Sequence, residues 1–242
     1  MIYLPDRLQT IFIDYRSAMP SPYHHRFCGE QHIAGAQCPN CQLPLLHYFT
    51  IDTRDPLLGL SDCPFPELPL LYCWRCNLYS KLFCYQILDA KTVKILSYEP
   101  NEPGRSGAYY TPYEDYPLAF PEAQVQLVPI TPEQQKITDT LRAMPPYNQA
   151  DLDLMAEYER LAGEYRTLVP YYHQFWGEPS LIQGFDTWNS PCPCCHKEMP
   201  FLASFENDCL DPRGFVGEYD DVQVIFTYCA SCQIIGVMEQ TD

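Results

Sequence analysis

Pro22-Tyr23-His24-His25-Arg26-Phe27-Cys28-Gly29-Glu30 returns near the other end of the chain as Pro170-Tyr171-Tyr172-His173-Gln174-Phe175-Trp176-Gly177-Glu178. Each nonapeptide is followed by two cysteine pairs of spacing CxxC. After the first come Cys38-Pro39-Asn40-Cys41 and Cys73-Trp74-Arg75-Cys76; after the second come Cys192-Pro193-Cys194-Cys195 and Cys229-Ala230-Ser231-Cys232. The agreement extends to the apolar residues. Pro44-Leu45-Leu46 stands behind the first pair as Pro200-Phe201-Leu202 stands behind the third, and Leu70-Leu71-Tyr72 leads into Cys73 as Phe226-Thr227-Tyr228 leads into Cys229. Recurrence at so many positions reads as an internal duplication with two similar structural units.

A CxxC turn aims two thiolates at one point, and two such turns on neighbouring hairpins complete a tetrahedron around a metal ion. The spacing therefore predicts two zinc sites, one from Cys38, Cys41, Cys73 and Cys76, the other from Cys192, Cys195, Cys229 and Cys232. Cys194 competes with its neighbours, but Cys192 with Cys195 keeps the spacing of the other three pairs. A disulfide framework is the alternative, and it needs an oxidising compartment. Met1 to Thr10 carries Asp6 and Arg7 and no continuous apolar run, so it does not read as a secretory signal. No apolar stretch approaches the length of a membrane span. A reduced, cytoplasmic setting is the expectation. Four CxxC pairs in two matched sets also fit poorly with a single redox motif. Cys28, Cys63, Cys84, Cys194 and Cys209 fall outside the two sets, and buried packing is the usual fate of such thiols.

Hydrophobic residues make up 46% of the 242, enough for a globular core rather than a disordered chain. The formal charge is −16. Each filled site adds four thiolates and a divalent cation, a net −2, which takes the total to about −20. Phosphate binding needs clustered Lys and Arg. The first cysteine set encloses only Arg54 and Arg75, and the second only Lys197 and Arg213, so nucleic acid is an unsuitable partner. Acidic residues gather instead around the second set, at Glu206, Asp208, Asp211, Glu218, Asp220, Asp221 and Glu239. Such a surface suits a basic protein, although charge of this kind also serves solubility alone.

Residues 97–131 are rich in Pro, Tyr and acids and read as a looping connector with short strands at most. Thr131-Pro132-Glu133-Gln134 carries an N-cap, a first-turn proline and a capping-box glutamine, which opens a short helix ending near Met144 before Pro145-Pro146. A second helix is expected from about Ala150 to Leu168, with an apolar stripe at Leu154, Tyr158, Leu161, Tyr165 and Leu168. The helical pair is expected to buttress the two units. Val222 to Tyr228, a CxxC turn and Ile234 to Met238 read as strand, turn, strand, and Leu68 to Tyr72 with Leu78 to Leu88 give the first unit the same plan. The fold class is α+β: internally duplicated β-rich units, each with a four-cysteine zinc ribbon-like site, with a small helical element between them. The boundaries are 1–96 for the first unit, 97–131 for the connector, 132–169 for the helical segment and 170–242 for the second unit.

The stretch His173, Trp176, Gly177, Glu178, Pro179 and Gln183 ahead of CPCC, with Met199-Pro200-Phe201-Leu202 behind it and Gln240 at the close, resembles the group of bacterial YwqG-like proteins and the eukaryotic programmed-cell-death-two and Tsr-type ribosome-biogenesis proteins. The resemblance covers both units and marks a divergent member. The group usually has a glycine pair before its proline, where this chain has Trp176-Gly177-Glu178-Pro179, and the first unit has no proline after Glu30. The resemblance implies two related units, and a chaperone for a basic ribosomal protein or a part in toxin immunity.

Four thiols close each metal shell, so His25 and His173 read as turn-supporting residues rather than ligands or catalytic bases. No catalytic motif stands out. The expected function is a zinc-stabilised module that sequesters a basic protein, steered by Asp220 and Asp221 and anchored by exposed aromatics, of which Trp176 and Trp188 are candidates. Trp176 could equally be buried. The alternative is a thiol- or metal-dependent enzyme that uses a cysteine outside the sets, such as Cys28 or Cys209.

Overall fold

The computed structural model describes residues 11–14, 21–73, 76, 82–98, 100, 118–145, 152–168, 173–177, 191–206 and 222–241. The chain builds two antiparallel sheets and two helices, an α+β architecture dominated by strands. The smaller sheet contains β2 (Arg26–Phe27), β3 (Leu46–Asp52), β4 (Glu67–Tyr72) and β7 (Ala123–Gln124), in the order β4-β3-β2-β7. The larger has eight strands in the order β6-β5-β12-β11-β10-β9-β1-β8. These are β1 (Ile11–Asp14), β5 (Phe83–Asp89), β6 (Thr92–Ser97), β8 (Gln126–Pro129), β9 (Gln174–Phe175), β10 (Phe201–Glu206), β11 (Val222–Cys229) and β12 (Ile234–Thr241).

The strand, CxxC turn, strand plan holds for β11 and β12, which pair in unbroken register from Val222 with Thr241 to Cys229 with Ile234. It does not hold in the first unit. β4 and β5 are both strands, yet they enter different sheets, because the edge of β5 is taken by β12 from Val237 with Phe83 to Ile234 with Gln86. Hydrogen bonding thus runs from residues before position 96 directly to the last strand of the chain. The connector also contributes strands to both sheets, β7 beside β2 and β8 beside β1. β1 was not anticipated; its Ile11-Phe12-Ile13 run carries the β-branched and aromatic signature of a strand.

Aromatic rings join the sheets into one core. Phe49 of β3 meets Phe175 of β9 edge-on at 5.1 Å and Phe205 of β10 at 5.8 Å, and Tyr48 meets Phe226 of β11 at 5.9 Å. Such pairs add about 0.5–1.5 kcal/mol each beyond the area that they bury. Every residue of β3 is buried. Tyr85 of β5 ties the sheets polar to polar: its hydroxyl donates to Pro69 O at 2.8 Å and accepts from Leu71 N–H at 2.9 Å, which satisfies the free edge of β4.

Tyr72 of β4 makes a second tie by donating to the Glu239 carboxylate of β12 at 3.1 Å. Glu239 is thereby half-buried and engaged by Tyr72 rather than standing free among the surface acids. Burial pushes its carboxyl up to about 7 from 4.5, so it withholds stability as pH rises from 4.5 to 7, by at most about 3 kcal/mol. Burial also holds His47, whose Nδ1–H donates to Cys28 O, down at about 4 from 6.5. That group lends stability as pH rises from 4 to 6.5, so the two oppose each other between 4.5 and 6.5. Glu239→Gln keeps an acceptor for Tyr72 and removes the opposing titration. Urea titrations of this variant should show stability climbing more steeply with pH than in the parent and a gain of about 1–3 kcal/mol at pH 7. Parallel pH profiles would overturn the assignment.

Thr131 caps α1 (Pro132–Ala143) with the full capping box that its sequence predicts, Gln134 N–H to Thr131 Oγ1 at 3.3 Å and Thr131 N–H to Gln134 Oε1 at 2.7 Å. α2 (Leu152–Leu168) turns Leu161 inward, with Leu154 and Tyr158 half-buried. The side chains of Tyr165 and Leu168 lie outside the described residues. Among the described residues the two helices pack against each other. No described helix is long and apolar enough to cross a membrane.

Candidate metal centres

Each nonapeptide forms the same bend. Arg26–Phe27 and Gln174–Phe175 are two-residue strands, and the residues that follow, Cys28 (φ 56°) with Gly29 (φ 97°) and Trp176 (φ 51°) with Gly177 (φ 72°), are left-handed. Holding a non-glycine residue there costs about 1 kcal/mol, which the surrounding contacts must offset. Cys28 N–H then donates to Tyr48 O at 2.9 Å, and Trp176 N–H to Leu202 O at 3.1 Å, so each bend hangs on the next long strand.

That strand follows a cysteine turn of one geometry in both places. Gln42 N–H donates to Cys38 O and Cys38 N–H to Leu43 O; His196 N–H donates to Cys192 O and Cys192 N–H to Lys197 O. Gln42 (φ 62°) and His196 (φ 58°) make the left-handed step that turns the backbone amides toward the sulfurs. Isolated bridges, Gln37 to Pro44 and Pro191 to Glu198, close each loop. Pro44 therefore corresponds to Glu198, and the sequence pairing of Pro44-Leu45-Leu46 with Pro200-Phe201-Leu202 is two residues out of register. The strands beyond carry a register shift at the same place, between His47 and Phe49 and between Phe201 and Ala203.

The two turns meet the second CxxC pairs to form two groups of four sulfurs, Cys38, Cys41, Cys73 and Cys76, and Cys192, Cys195, Cys229 and Cys232. Within each group all sulfurs lie within 4.8 Å of one another. Cys41 Sγ is 3.8 Å from Cys73 Sγ, and Cys195 Sγ is 3.6 Å from Cys229 Sγ. A tetrahedral ion with bonds of about 2.3 Å has sulfur–sulfur edges of about 3.8 Å, so the donor sets fit a metal. None of the described cysteines is in a disulfide. Without a cation the sulfurs perturb one another: hydrogen bonds from Cys73 pull Cys38 and Cys41 down, and hydrogen bonding with Cys38 pushes Cys73 and Cys76 up. A divalent cation relieves that conflict and displaces the protons.

The two groups sit differently. Cys38, Cys73 and Cys76 are buried in the main core. The second group rests on a smaller apolar cluster of Cys84, Met199 and Ile234, with Cys195 and Cys232 half-buried. Cys194 lies outside the four-sulfur group and is exposed.

The repeated histidines belong to neither group. His25 is buried; its Nδ1 accepts from Asp52 N–H at 3.2 Å, so Nε2 carries the proton and donates to Asp55 at 2.9 Å. Burial pulls this imidazole down, which keeps it neutral. Asp55 in turn caps the 3-10 turn Pro56–Leu58 through Leu57 N–H. Leu58 O accepts the indole N–H of Trp176 at 3.0 Å, so both nonapeptides converge on one short turn. His173 stacks on Phe27 at 5.1 Å.

Trp176 is therefore corrected from a possible surface anchor to a core residue, 2% exposed. Trp74, Trp188, Asp220, Asp221 and Cys209 lie outside the described residues. Cys28 is buried at 1% exposure, a poor position for a nucleophile. Cys63 was read as packing and is half-buried, its Sγ 3.6 Å from the Tyr228 hydroxyl, which itself donates to Gln233 Oε1 beside the last cysteine turn. Comparison with family models, with curated proteins and with solved structures finds no match to this chain.

Proposed function

We propose that this chain is a zinc-stabilised, cytoplasmic binding protein that sequesters a basic protein client, as its chaperone or its inhibitor. The observation that carries the reading is the pair of closed four-sulfur shells. Four protein ligands leave a bound ion no open position for substrate or water, the arrangement of structural rather than catalytic metal. Tetrahedral thiolate donors favour zinc or an iron–sulfur centre; a colourless protein carrying two zinc ions by elemental analysis would select the first, and a coloured, iron-containing one would overturn it. The matching bends, cysteine turns and register shifts support descent of the two units from one duplicated ancestor. The resemblance to the YwqG-like and programmed-cell-death-two group supports a client-binding role.

The formal charge of −16, about −20 with both ions bound, supplies long-range attraction for a cationic partner. Asp220 and Asp221 steer the encounter, and Trp188 anchors it. Affinity capture with the tagged, zinc-loaded chain from its native lysate should recover one basic protein in near-stoichiometric amount at low salt and less of it at moderate salt. Neutralising Asp220 and Asp221 together should slow association several-fold. Recovery of nothing specific, or binding indifferent to salt and to those substitutions, overturns the reading.

A further inference from the structure

The last cysteine turn is held from outside its own unit. β5 pairs with β12 from Phe83 with Val237 to Gln86 with Ile234, and its hydrogen bonds continue past the start of β12 into the turn. Ile87 N–H donates to Gln233 O at 2.8 Å, and the Gln86 side-chain amide donates to Cys232 O at 3.0 Å. Cys232 is one of the four sulfur donors, so a side chain of the first unit bonds the backbone of a ligand of the second group. Cys84 of β5 is buried in the same cluster as Cys192 and Cys229. Another segment of the first unit reaches the turn at Gln233. Cys63 Sγ lies 3.8 Å from Gln233 Oε1 and 3.6 Å from the Tyr228 hydroxyl, which donates to the same Oε1 at 2.6 Å. Gln233 is left-handed (φ 57°), a conformation that such contacts must hold in place.

We propose that the second metal centre is a joint site of the two units, a latch in which β5 positions the Cys229–Cys232 turn and the bound ion in turn holds β5 against β12. The proposal rests on the reading that both groups hold zinc. Two of the four donors belong to this turn, and they must stay about 3.8 Å from the other two for a tetrahedral shell to close. Groups that fix a ligand from behind set that spacing before the ion arrives, and their loss costs roughly 10–100-fold in affinity. Gln86 is thus a positioning residue. It fixes the carbonyl of Cys232, as the Ile87 amide fixes that of Gln233. The coupling is reciprocal: whatever β5 contributes to holding the ion, the ion returns to the pairing of β5. Because β5 with β12 is a seam between the units, the occupancy of one ion decides how firmly they are joined there.

The test uses the full chain loaded with zinc, its metal content measured first. Gln86→Met keeps the length of the side chain and removes its donor. One of the two ions should pass to a chelating dye about tenfold faster than in the parent, and the other at an unchanged rate. Lys94→Met, at the exposed partner of Gln86 on β6, should leave both rates as they are. In the opposite direction, Cys192→Ser removes a ligand of the second centre that lies on the other turn. Hydrogen exchange read by mass spectrometry should then quicken by at least about tenfold in Phe83–Asp89, while Leu46–Asp52 keeps the parent's protection. This measurement needs no substitution in β5, so it decides the matter even where Gln86→Met fails to fold. Unchanged release of both ions from Gln86→Met, equal acceleration of both, or protection of β5 indifferent to Cys192→Ser overturns the latch. Fewer than two ions bound by the parent defeats the metal reading and the latch with it; two ions with any of those three results defeats the latch alone.

Discussion

Cys38→Ser should abolish cooperative folding at room temperature, whereas Cys192→Ser should leave the main core folded and lower the melting temperature. Both substitutions remove one of four metal ligands, so the difference comes from where the groups sit. Structural zinc contributes on the order of 10 kcal/mol, as much as the whole net stability of an ordinary domain. In the first group Cys38, Cys73 and Cys76 are members of the core that holds Phe49, Phe205 and Phe226 together. Loss of the ion there leaves four thiols, three of them buried, packed inside that core without the cation that ties the two turns together. The second group rests on its own small cluster, and its loss frays the β11 to β12 turn first. Chelation should reproduce both effects in order, the second ion leaving before the global transition. Circular dichroism melts with metal counts at each chelator concentration measure this. Equal damage from the two serine variants, or a metal-free chain with the parent's melt, would contradict it.

The metal groups were legible in the sequence because their information is local. A CxxC turn needs only its own backbone, and the hydrogen bonds from Gln42 and His196 back to Cys38 and Cys192 are made within each loop. The helix start at Thr131 was legible for the same reason. Strand partnership is not local. Phe83–Asp89 has the pattern of a strand whether it returns along β4 or crosses to β12, and the choice rests on contacts far away in the chain, Tyr85 against Pro69 and Val237 against Phe83. Glu239 illustrates a finer limit. As a sequence letter it joined an acidic cluster, but its register opposite the buried Val224 and its bond with Tyr72 withdraw it from that surface. The two-residue offset between Pro44 and Pro200 arose because similar letters were matched, whereas the backbone bridges match Pro44 with Glu198.

Trp176 shows a signal that the repeat held and that comparison of the two copies reveals. It occupies the place of Cys28, a residue type that is usually buried, and the two share one backbone bend. Trp176→Ala should therefore cost about 3–5 kcal/mol of stability through the cavity it leaves, with a further penalty for the Leu58 carbonyl that loses its donor. Trp176→Phe keeps most of the ring volume but not the indole N–H, and should cost about 1–3 kcal/mol. The loss should spread to the first unit, because Leu58 belongs to the turn that Asp55 and His25 hold. Asp55→Asn and Trp176→Phe should then be non-additive in a double-mutant cycle, with a coupling above about 0.5 kcal/mol, since both loosen one turn. If the indole instead served as a surface anchor, alanine there would spare stability and weaken client capture. Urea denaturation alongside capture by the folded Trp176→Phe variant separates the two: lower stability with undiminished capture fixes Trp176 in the core, and intact stability with lost capture returns it to the surface.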